Sequence, residues 1–171
     1  MRAVQKIFVL SCLAVVWPLV GKPTGATAAD LLSAMKPEGS TELTYKAPNG
    51  NIVRVEILQT KLDSSFPYKD ALLWGGDVGE PPQTVLTSIQ ISQNKKPVFV
   101  TLSAYSDLAD VKFASLEPTK EGFALHLRGG NTATSYDATF NFSHGYLSTR
   151  TVRGREFPDE RWEKTRYSFP K

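Results

Sequence analysis

Between Leu43 and Phe142, apolar side chains return at every second position in short runs. Turn-forming residues interrupt these runs about every 8–12 residues, the spacing of a sandwich or barrel. A period of two suits one buried face of a strand; a helix would need 3.6. Leu43 and Tyr45 alternate with Glu42, Thr44 and Lys46, and Val53, Val55 and Ile57 alternate with Arg54 and Glu56. The same parity assigns inward positions to Val85, Ile89 and Ile91, to Val98, Val100 and Leu102, to Phe123, Leu125 and Leu127, and to Tyr136, Ala138, Phe140 and Phe142. Weaker runs cover 71–74, 111–116, 146–152 and 162–169. The expected fold is all-β, an antiparallel β-sandwich or flattened barrel of about eight to ten short strands. A short N-terminal helix is expected over 30–36, with Asp30 as N-cap and Pro37 and Gly39 as its stop.

One register follows from the same pattern. A two-residue hairpin at Asn49-Gly50 would set Tyr45 opposite Arg54 and Leu43 opposite Glu56, core against charge. A three-residue loop, Pro48-Asn49-Gly50, instead pairs Tyr45 with Val53 and Leu43 with Val55, with a type I turn and a bulge at Gly50.

Residues 1–29 read as a signal peptide that is removed: Arg2 and Lys6, an apolar run from Ile7 to Val20, and small residues at Ala26, Ala28 and Ala29. That run is shorter than the roughly 20 residues a membrane-spanning helix needs. Residues 30–171 then form a single β-rich domain, periplasmic or secreted, of a bacterial kind. Cys12 is the only cysteine, so the mature chain is cysteine-free and depends on its core. Arg2, Lys6 and Lys22 account for three of 20 basic residues and none of 17 acidic ones, which leaves the mature chain formally neutral. Nucleic acid is therefore not expected as a partner, and nothing spans a membrane once the signal is cleaved.

No catalytic signature is present: no nucleophile elbow, no zinc-protease helix, no phosphate loop. The two histidines, His126 on a polar strand face and His144 in a turn, are too few for a zinc site, and no metal or cofactor is expected. Two loops stand out. Trp74-Gly75-Gly76-Asp77-Val78-Gly79-Glu80-Pro81-Pro82 offers an aromatic ring and two carboxylates. Trp74 could stack on a sugar with Asp77 and Glu80 accepting hydrogen bonds or acting as acid and base; equally, Trp74 could plug one end of the core. Arg128-Gly129-Gly130-Asn131 could hold an anion on backbone N–H groups or form a wide hairpin connection. If both loops share one end of the fold, their joint rim is the leading candidate site.

Phe99 and Tyr105 start an aromatic stripe if the face opposite Val98 and Val100 is open to solvent, and join the core if it is covered. Near the C-terminus Arg153 and Arg155 share a strand face that Arg150 does not, so cross-strand ion pairs are expected there. The expected function is non-catalytic binding of an envelope or secreted protein, of the inhibitor or adaptor type, through Trp74, Asp77, Glu80, Phe99, Tyr105, Arg128 and Asn131. Two alternatives remain open at this point. One is a small-ligand or glycan carrier with Trp74, Tyr136 or Trp162 lining a cavity between sheets; the other is a carboxylate-dependent glycan hydrolase.

Overall fold

The computed structural model describes residues 32–47, 50–63, 73–76, 81–160 and 162–168. Ten strands follow one another: β1 (Ser33–Ala34), β2 (Gly39–Lys46), β3 (Ile52–Lys61), β4 (Thr84–Gln93), β5 (Lys96–Val98), β6 (Val111–Pro118), β7 (Gly122–Gly129), β8 (Tyr136–Ser143), β9 (Tyr146–Gly154) and β10 (Trp162–Arg166). They build a six-stranded sheet, β1-β6-β7-β8-β9-β10, and a four-stranded sheet, β2-β3-β4-β5, with every strand pairing antiparallel. The sheets pack face to face as an all-β sandwich. Val55, Ile57 and Ile91 of one meet Leu125, Phe140 and Val152 of the other in a single apolar core. Phe123 and Phe142, directly opposite each other, stack with ring centroids 4.6 Å apart.

The β2–β3 hairpin has the register that burial demands. Tyr45 pairs with Val53 and Leu43 with Val55, and Gly50 takes φ of +85°. Pro48 and Asn49 lie outside the described residues. Two tighter hairpins use residues at positive φ: Asn94-Lys95 between β4 and β5, and His144-Gly145 between β8 and β9. Positive φ at both central positions is the signature of the type I′ turn, whose twist suits a hairpin.

Three expectations are corrected by tertiary pairing. Where a helix is expected, Ser33 and Ala34 form β1 against Ala114 and Phe113, and the described residues contain no α-helix; Asp30 and Leu31 lie outside them. Val85 is only half-buried, because a bulge skips Thr87 and turns Leu86 inward opposite Gln59. Finally, β5 stops at Val98, and the chain passes into a 3-10 turn at Leu102–Ala104 that leaves Leu102 exposed. Residues 1–29, where a signal peptide is expected, lie outside the described residues. Among those described, no helix is long and apolar enough to cross a membrane.

Candidate functional site

The two glycine-rich loops do share one end of the sandwich. The Thr134 hydroxyl donates to the Gly75 carbonyl at 3.3 Å, and a Cβ on Gly75 would stand 3.2 Å from the Gly130 Cα and 2.7 Å from the Ala109 oxygen. Only glycine permits so close an approach, and both Gly75 and Gly130 have positive φ. Beneath them Tyr136 is fully buried and donates its hydroxyl to the Ala109 carbonyl at 2.9 Å. Burial, reinforced by the nearby Asp107 and Asp110 carboxylates, pushes its phenol well above the ordinary value.

Trp74 closes this end. Its N–H donates to the Asp107 carbonyl at 2.8 Å, its carbonyl accepts from Ala109 N–H at 2.9 Å, and its ring tilts against Tyr136 with centroids 6.2 Å apart. The half-buried ring packs on the core, the geometry of a plug. Asp77 and Glu80 lie outside the described residues. Asn131 is exposed on the loop rim and accepts from the Lys112 ammonium at 3.0 Å.

Next to this rim, on the solvent side of the six-stranded sheet, the registers align one row across five strands: Phe113, Arg128, Asp137, Arg153 and Trp162, each opposite the next. At roughly 4.8 Å per strand the row is about 19 Å long. Arg128 donates to Asp137 at 2.9 Å and Arg155 reaches the other oxygen of that carboxylate at 3.4 Å. A second row, Ser115, His126, Thr139, Thr151 and Lys164, runs parallel to it. His126 lies within 3.0 Å of Glu117 and 3.2 Å of the Thr139 hydroxyl. The middle of both rows, Arg128, Asp137 and Arg153 with Ser115, His126, Thr139 and Thr151, lines a shallow concavity of about 820 Å³.

Edge strand β10 presents Trp162 and Lys164 outward because its intervening residue is anchored inward. Glu163 accepts from Arg150 at 2.6 Å, and the same guanidinium bonds both Asp107 oxygens at 2.7 Å. Arg150 is 2% exposed, and its Nε has no hydrogen-bond partner among the described residues. Burial outweighs the Arg150 charge at Asp107 and holds that carboxyl above its ordinary value. Burial also raises the Tyr167 hydroxyl, whose ring packs on the core nearby.

The expected site residues thus divide. Arg128 and Asn131 stand at the joined-loop end with Trp74. Phe99 is 65% exposed on the chain leaving β5, whereas Tyr105 is 8% exposed and belongs to the core, so the two form no stripe. Trp162, one of three cavity-lining candidates in the carrier alternative, lies on the outer face. The expected cross-strand ion pairs form in part: Arg150 on β9 pairs with Glu163 on β10, and Arg155 reaches Asp137 on β8, while Arg153, Lys164 and Arg166 pair with no carboxylate among the described residues. Phe113, Asp137 and Lys112 carry no sequence mark of their own and join the site only through register.

The architecture defines an all-β sandwich with a basic, aromatic-ended outer face. No protein-family model, no curated protein and no solved structure matches the chain.

Proposed function

We propose that this is an exported, non-catalytic binding domain that engages an envelope or secreted protein as an inhibitor or adaptor. The observation that carries the proposal is the row from Phe113 through Arg128, Asp137 and Arg153 to Trp162. Aromatic and arginine side chains dominate the energetics of protein interfaces, and here they are held in fixed order on rigid strands. Export rests on the signal pattern of residues 1–29. The outer-face position of the concavity favours a macromolecular partner over a ligand enclosed between the sheets.

Affinity capture tests this from the envelope and secreted fractions of the source cells. The wild-type protein retains one stoichiometric partner, and the double variant Phe113→Ala, Trp162→Ala, with an unchanged melting temperature, loses it. Retention of the same partner by the double variant would place the interface elsewhere and overturn the proposal.

A further inference from the structure

We infer that the occupant of this face is an acidic, extended polypeptide segment of the partner, an inference that rests on the binding reading above. Among the described residues, the strands of this face carry Arg128, Arg153, Lys164 and Arg166 against Glu117 and Asp137; Arg155 adds a cation from the β9–β10 connection, which also holds the exposed Glu156, Asp159 and Glu160. The imbalance arises from strand parity. Glu163 turns inward to neutralise the buried Arg150, while Trp162, Lys164 and Arg166 on the same strand turn out and are exposed.

Two details favour a polypeptide over a uniform polyanion such as a sulfated glycan. Asp137 stands in the middle of the row and takes up Arg128 and Arg155, so the cations surround a central negative charge. Evenly spaced sulfates crossing the row would meet that carboxylate; carboxylate side chains on either side of a neutral residue would avoid it. Arginine forks also match carboxylates in bidentate geometry. At about 3.3 Å per residue, an extended chain covers the 19 Å row with about six residues. The aromatic residues at each end, Phe113 and Trp162, suit apolar side chains flanking the acidic stretch.

The test uses the purified protein and a fluorescein-labelled peptide of about seven residues. The peptide has leucine at both ends and two acidic residues on either side of a central serine. Fluorescence anisotropy is expected to show binding that weakens steeply with added salt and weakens about tenfold or more in Arg153→Glu. Arg54→Glu, on the outer face of the other sheet, is expected to leave it unchanged. The result that overturns the inference is binding no tighter than that of the matching peptide with glutamine and asparagine, or equal binding by Arg153→Glu. A heparin oligosaccharide that binds through Arg153 while the peptide does not also overturns it. If the captured natural partner depends on Phe113 and Trp162 but tolerates Arg153→Glu, the binding reading survives and only the acidic-segment inference fails.

Discussion

The side chain of Gln59 and the backbone of Val111 bond each other twice: Gln59 Nε2 donates to the Val111 carbonyl at 2.9 Å, and Val111 N–H donates to Gln59 Oε1 at 3.0 Å. The amide also donates to the Lys36 carbonyl at 2.9 Å and accepts from the Thr84 hydroxyl at 3.3 Å. One buried side chain therefore substitutes for a strand pair where the two sheets meet. The neighbouring β3–β4 bulge, between Leu58 and Gln59, is the irregularity that sets this register. Gln59→Leu strands the Val111 and Lys36 groups without partners. An unsatisfied buried polar group costs about 1–3 kcal/mol, so the variant is expected to lose about 2–4 kcal/mol in urea unfolding. A loss under about 0.5 kcal/mol would show that water replaces the amide.

Asp107 sets a pH dependence whose sign can be worked out. Its carboxyl is held above the ordinary value, so the folded state takes up the proton more readily than the unfolded chain. The stability this contributes is complete below about pH 3.9, the unfolded value, and is lost as pH rises through the folded value. The stability of the wild type relative to Asp107→Asn should therefore decline with rising pH across that window. Urea midpoints measured from pH 3 to 7 give this difference. A difference that grows with pH would mean that attraction to Arg150 outweighs burial.

Gly75 and Gly145 have similar positive φ, +92° and +84°, in different surroundings. A Cβ at Gly145 meets nothing within 4 Å, whereas one at Gly75 presses on the Ala109 oxygen. Gly145→Ala is expected to cost about 1 kcal/mol, the conformational penalty alone. Gly75→Ala carries an added steric penalty of about 1–2 kcal/mol, in the range of overpacked sites. Thermal unfolding of the two variants side by side separates them, and equal losses would show that the loops can part without cost.

Trp74→Ala distinguishes a core plug from a binding residue. Its ring packs on Tyr136 and the core, so the variant should lose about 3 kcal/mol of stability, near the low end for such truncations. What remains folded should bind the partner as the wild type does. Full stability with abolished binding would reverse the assignment.

How much of this could be read from residues alone depended on whether the determining contact was local. The Leu43–Val55 and Tyr45–Val53 pairing was legible because the alternative sets core residues against charge. The inward Tyr136 and Phe140 and the opposed faces of Arg150 and Arg153 were equally legible, being matters of parity. Ser33 and Ala34 were not, since their strand exists only because Phe113 and Ala114 lie alongside. Nor was the exchange of Val85 for Leu86, which depends on the bulge in the β3–β4 pairing at Leu58 and Gln59. The candidate face was hidden for the same reason. Arg128 and Arg153 are visible as basic residues, but only the pairing of five strands aligns them with Phe113 and Trp162.

The most direct test of that face is site-specific photo-crosslinking in the source cells. A photoreactive residue would replace Thr151, which lines the concavity, or Thr44, on the outer face of the other sheet. The expected result is a single protein adduct from position 151 and none from position 44. No adduct at 151, or the same adduct from both positions, would contradict a binding site on the six-stranded sheet.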